Sequence, residues 1–159
     1  MLPSGRPPDA ALADVERAAT DFARRGGAVL LEHFRTGLDV SFKWDDARHP
    51  VTEVDHAVED LIRAAVLARF PEHGILGEER ADTGPADAEW IWVIDPLDGT
   101  SNFINGLPTF SCSVGVLWRG APVVGAIFVA TSRHLSSGVY HARAGGGAFF
   151  DDRPVRFGM

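Results

Sequence analysis

One stretch restricts this chain more than any other: Trp90-Ile91-Trp92-Val93-Ile94-Asp95-Pro96-Leu97-Asp98-Gly99-Thr100-Ser101-Asn102-Phe103. The run from Ile91 to Ile94 is too short for a helix, is β-branched and aromatic, and is closed by a proline, so it predicts a buried strand with its chemistry at the carboxyl end. Pro96 fixes its own φ and biases Asp95 away from the helical region, which allows the carboxylates of Asp95 and Asp98 to converge on one point. Two ionised carboxylates held together repel unless a cation lies between them, and hard oxygen ligands suit Mg²⁺ or Mn²⁺. Gly99 allows backbone N–H groups to approach an anion, and Thr100 onward can begin a helical turn whose free N–H groups bind phosphate. By itself the pattern also describes an ordinary Asp-Pro-x-Asp-Gly turn.

Two further acidic segments weigh against a plain turn. Gly74-Ile75-Leu76-Gly77-Glu78-Glu79-Arg80 is again a short apolar run ending in carboxylates, and in Pro50-Val51-Thr52-Glu53-Val54-Asp55 an acid opens a helix. Together the three resemble the inositol monophosphatase family of Mg²⁺-dependent, lithium-sensitive phosphatases. Its Gly-Glu-Glu is matched by Gly77-Glu78-Glu79, its Asp-Pro-Leu/Ile-Asp-Gly-Thr-x-Asn-Phe by Asp95 to Phe103, and its Val-Thr-x-x-Asp by Val51, Thr52 and Asp55.

The resemblance implies hydrolysis of a small phosphorylated metabolite without a covalent enzyme intermediate, using two or three Mg²⁺ ions, with Mn²⁺ as a substitute. Glu78, Asp95 and the Leu97 carbonyl would hold the first ion. Asp95 and Asp98 would share the second, and Glu78, assisted through water by Asp55, would contact a weaker third. Thr100 with Glu78 would orient the attacking water, and the backbone of Gly99, Thr100 and Ser101 would hold phosphate oxygens. Glu79 would add a supporting charge. Asp55 retains a second reading, as a complement to the helix N-terminus. Inositol monophosphate is the leading substrate. Fructose-1,6-bisphosphatase, histidinol-phosphatase and 3′(2′),5′-bisphosphate nucleotidase activities stay open, as does an inactive interaction or regulatory fragment.

The rest of the chain supplies the frame. With 159 residues, 45% of them hydrophobic, and a net charge of −7, one acidic domain with a sizeable core is expected. The acidic balance opposes nucleic-acid binding, although a local metal cluster can reverse the field for one phosphate. The lone Cys112 allows no internal disulfide, and no apolar run approaches the ~18–20 residues of a membrane span. Residues 1–8 lack a signal-peptide core and read as a disordered tail, so a cytoplasmic location is expected.

Leu12, Val15, Ala19, Phe22, Gly26, Leu30 and Phe34 recur at three- and four-residue steps, predicting a helix from Asp9 to about Arg35 whose Gly26-Gly27 pair marks a close crossing or a bend. Thr52 and Asp55 predict the start of a second helix, which carries Val54, Val58, Leu61, Ile62, Ala65 and Ala68 and stops before Pro71. Val40 to Lys43 reads as a short strand. Lys43 is a weak site candidate by resemblance, and Trp44-Asp45-x-Ala47 mimics a family metal motif in the wrong place.

Phe110 to Trp118 and Val123 to Val129, joined by a turn at Arg119-Gly120-Ala121-Pro122, predict a hairpin. Strands near Ser136 to Ala142 and Gly145 to Phe150 extend it into an antiparallel sheet with the two helices on one face. Cys112 reads as a buried small hydrophobe, and His134 and His141 as isolated surface or strand residues. The expected class is α+β, matching the N-terminal part of the layered αβαβα sugar-phosphatase fold. Residues 9–159 would form the N-terminal domain, without the C-terminal domain that brings a further aspartate ligand and the grip on the alcohol. A complete member would form a homodimer.

Overall fold

The computed structural model describes residues 5–37, 40–42, 50–85, 87–132 and 135–156. Lys43, Trp44, Asp45, Ala47, His134 and residues 1–4 lie outside them. Helix α1 (Asp9–His33) and helix α2 (Glu53–Arg69) pack on one another and on the sheet. Strands β1 (Val40–Phe42) and β2 (Pro50–Thr52) form an antiparallel ribbon leading into α2. The main sheet runs in chain order through β3 (Gly74–Gly77), β4 (Trp90–Asp98), β5 (Ser111–Trp118), β6 (Ala121–Val129), β7 (Gly138–Arg143), β8 (Gly147–Phe150) and β9 (Arg153–Pro154). A short helix α3 (Thr100–Ile104) follows β4 directly.

Both long helices form where the apolar periodicity places them. The core face of α1 is Leu12, Val15, Ala19, Phe22, Ala23 and Leu30, and that of α2 is Val54, Val58, Ile62 and Val66. Gly26-Gly27 marks a close crossing. A Cβ on Gly26 would lie 2.9 Å from Cys112 Sγ and 3.0 Å from Val58 Cγ1, and one on Gly27 would enter the Phe128 ring at 2.1 Å. Cys112 is fully buried among apolar residues, and that burial pushes its thiol up to about 12.

The α+β class with helices on one face is as expected, but the sheet is not wholly antiparallel, because β3 runs parallel to β4. Residues 78–89 connect these strands, and a crossover of about a dozen residues can return the chain in the same direction, as a hairpin turn cannot. The β5–β6 hairpin turns at Arg119 (φ 48°) and Gly120 (φ 78°), positive angles that match the twist of paired strands. The open face of the sheet exposes Leu76, Val93 and Ile127.

One local feature differs from expectation. His141 is a strand residue but not isolated: its Nδ1 sits 2.7 Å from Oε1 of the buried Glu16, which Arg143 also pairs, and its Nε2 lies 2.9 Å from the Asp151 carbonyl oxygen. In the N-terminal segment Arg6 donates to the Ala144 carbonyl at 2.7 Å. Among the described residues no helix is long and apolar enough to cross a membrane.

Candidate active site

The site grows from the carboxyl ends of β3 and β4. Because the pair is parallel with Gly77 opposite Ile94, the next residues, Glu78 and Asp95, emerge side by side. Strand β4 then continues to Asp98 through an irregularity: Asp95 pairs with Ser113 and Asp98 with Ser111, three residues against two. Pro96 has no N–H for the ladder, so a bulge here is favoured. The bulge has a chemical consequence. In a regular strand, residues three apart face opposite sides, whereas here the extra residue returns Asp98 to the face of Asp95, opposite to Trp92 and Ile94. Ser111 Oγ donates to Asp98 Oδ2 at 3.4 Å.

Burial first, then the Glu78 charge, a side-chain hydrogen bond with Glu78 and the Asp98 charge together push the Asp95 carboxyl up to about 7, with the Leu97 amide opposing them. Asp95 Oδ1 is buried without a hydrogen-bond partner. An acceptor oxygen buried beside two more acids is a donor set that a hard divalent cation suits, so the residues fit such an ion. Among the described residues no three acids already converge as a ready-made cage.

Gly99 adopts φ 87° and ψ 34° and starts α3, and a Cβ there would sit 2.9 Å from the Thr109 carbonyl oxygen. The first amide with a helical acceptor is that of Phe103, which donates to Gly99 O at 3.0 Å. The amides of Thr100, Ser101 and Asn102 precede it and have no acceptor within the helix. Asn102 Nδ2 donates to Thr109 O at 2.8 Å and fastens the turn to the strand that follows.

Asp55 closes the third side. It completes a capping box with Thr52: Oδ2 accepts from the Thr52 amide at 2.9 Å and from the Thr52 hydroxyl, whose oxygen accepts from the amides of Val54 and Asp55. Its Oδ1 faces Thr100 Oγ1 at 3.4 Å, while that hydroxyl lies closer to the Leu97 carbonyl, at 3.0 Å. Burial raises the Asp55 carboxyl, and the hydrogen bonds from Thr52 and Thr100 oppose it.

Sequence reasoning passed over Glu59 and Arg63. Glu59 is fully buried, its carboxylate accepts from Arg63 Nε at 2.7 Å, and it also holds the loop that carries Glu78. The available signal was positional. Asp55, Glu59, Ile62 and Val66 follow at four-, three- and four-residue steps on one face of α2, with Arg63 one turn beyond Glu59.

This fold is shared with phosphatases. The crystal structure of the extragenic suppressor protein suhB from Bartonella henselae superposes with a TM-score of 0.81 at 30% identity, over 90% of this chain and 54% of that one. A histidinol-phosphatase from Chlorobaculum parvum is 38% identical over 139 residues, 87% of this chain and 51% of its own length. Human inositol monophosphatase 2 is 37% identical over 164 residues, 98% of this chain and 55% of its own. The model of the inositol monophosphatase family matches residues 11–157, and the chain belongs to that family of phosphatases. It spans about half the length of these relatives.

Proposed function

We propose that this chain carries the metal and phosphate half of a Mg²⁺-dependent phosphomonoesterase acting on inositol monophosphate or a similar small phosphate ester. The observation that carries the reading is Asp95: an acid raised to about 7, flanked by Glu78 and Asp98, with a buried oxygen that lacks a partner. Glu78, Asp95 and the Leu97 carbonyl would hold one ion, Asp95 and Asp98 a second, and Glu78 a weaker third. Divalent ions, when bound, polarise the ester and lower the pKa of the attacking water.

The chain's own groups do the rest. The amides of Gly99, Thr100 and Ser101 bind phosphate oxygens and orient phosphorus for in-line attack. Thr100, between Asp55 and the Leu97 carbonyl, positions the water together with Glu78 and passes its proton toward the carboxylates. Glu79 contributes charge beside Glu78. A histidinol phosphate substrate has a specific observation behind it, the 38% identity to a histidinol-phosphatase. In the whole protein we expect a cytoplasmic homodimer.

The test is Mg²⁺-dependent phosphate release from inositol 1-phosphate, histidinol phosphate and fructose 1,6-bisphosphate, with Asp95→Asn as control. Release that needs Mg²⁺ and Asp95 supports the proposal, and the preferred ester names the alcohol. A folded chain that binds Mg²⁺ but releases no phosphate from any of the three assigns turnover to longer relatives.

A further inference from the structure

We infer that Glu59 is a positioning residue that sets Glu78 at the metal side of the site, an assignment that rests on the function proposed above. Acids are almost never fully buried unless paired, and Glu59 is 0% exposed. All of its acceptor capacity is directed at one loop and one guanidinium. Oε2 accepts from the Glu78 amide at 3.1 Å and the Glu79 amide at 2.6 Å, and Oε1 accepts from the Arg80 amide at 3.1 Å and Arg63 Nε at 2.7 Å. Arg63, itself buried, continues the clamp from Nη2 to the Arg80 carbonyl at 3.2 Å and from Nη1 to Thr83 Oγ1 at 3.1 Å.

The sequence leaves space for this contact. A Cβ on Gly77 would lie 1.9 Å from Glu59 Oε1 and 2.4 Å from Arg63 Nη2, so only glycine lets β3 run this close to the pair. Asp55 lies one turn before Glu59 on the same helix, and its carboxylate meets Thr100. One turn of α2 thereby fixes two acidic segments relative to each other: Asp55 directly, and Glu78 through its own amide. Arg63 neutralises Glu59, so the clamp adds no net negative charge beside Glu78, Asp95 and Asp98.

Glu59→Gln separates positioning from bulk. The amide has nearly the same shape but one acceptor oxygen, so its NH₂ must face either the Glu78 and Glu79 amides or the Arg80 amide and Arg63. The 159-residue chain, Glu59→Gln and Val66→Ala are each titrated with Mn²⁺ by calorimetry, with amide hydrogen exchange followed without metal. Val66 is a buried apolar residue of the same helix outside the clamp and controls for stability. Glu59→Gln is expected to weaken Mn²⁺ binding by about 10–100-fold, the usual effect of losing a group that orients a ligand. It is also expected to speed exchange selectively at Glu78, Glu79 and Arg80, while Val66→Ala keeps the affinity of the unaltered chain. Unchanged affinity in Glu59→Gln, or equal weakening in Val66→Ala, overturns the inference. An unaltered chain that binds no Mn²⁺ overturns the metal-ligand role of Glu78 first, and the positioning role with it.

Discussion

Gly27→Ala isolates the contact that seats α1 on the sheet. In an open helix this change stabilises by about 1 kcal/mol. Here the new Cβ would stand 2.1 Å from Phe128 Cγ and 2.3 Å from both Cδ atoms, against a normal carbon separation of about 3.5–4.0 Å. The ring, on a buried residue of β6, must therefore retreat by roughly 1.5 Å through a close-packed core. Overpacking of this kind costs about 1–3 kcal/mol, and a displacement this large belongs at the upper end, leaving a net loss of about 1–2 kcal/mol. For a chain of this size that is a fall in Tm of about 2–8 °C. Urea and thermal unfolding measure it, with Phe128→Leu as a second background in which Gly27→Ala should cost less. Gly26→Ala, whose nearest neighbours stand at 2.9–3.3 Å, should cost less than Gly27→Ala. A rise in Tm for Gly27→Ala would refute the packing argument.

Other expectations follow from single groups. Asp95 has a folded-state pKa raised from 3.8 to about 7, so the metal-free folded chain binds the extra proton between those values. Its contribution to stability must fall as pH rises through that window, and melting curves of Asp95→Asn, set against the unaltered chain, should lack this part of the slope. Mg²⁺ should raise the Tm of the unaltered chain more at pH 8 than at pH 5.5, and that of Asp95→Asn little at either. His73 behaves oppositely: its Nδ1 accepts from Trp92 Nε1 at 2.9 Å, and burial lowers its pKa from 6.5. Its contribution is therefore complete above pH 6.5 and lost as pH falls below it, which an NMR titration of the imidazole checks. Thr52→Ala removes the capping box of α2 and should cost about 1 kcal/mol in urea unfolding, whereas Thr52→Ser should recover most of it.

The elements decided by neighbours in the chain were legible before any coordinates. Thr52 and Asp55 are three residues apart, so their reciprocal capping bonds need only a helix start. The positive angles at Arg119 and Gly120 serve a hairpin already marked by alternating strands on both sides. Apolar periodicity located α1 and α2 to within about two residues at each end, because burying a stripe is what makes each helix stable. The Gly99 turn was read from the same local chemistry and adopts the left-handed angle that glycine permits.

Neighbouring residues thus set the kind and order of the elements and the groups available at their ends. Which ends meet depends on long-range packing. Parallel pairing of β3 with β4 sets Glu78 beside Asp95, the bulge at Pro96-Leu97 turns Asp98 to the face of Asp95, and the fold buries Glu59 and Glu16 where Arg63, Arg143 and His141 can pair them. The physical reason is range. Capping, turn angles and amphipathic periodicity act over a few residues, whereas register, burial of charge and a pKa near 7 also depend on groups far apart in the chain, such as Glu78 and Asp95 or Glu16 and His141, that only folding brings into contact.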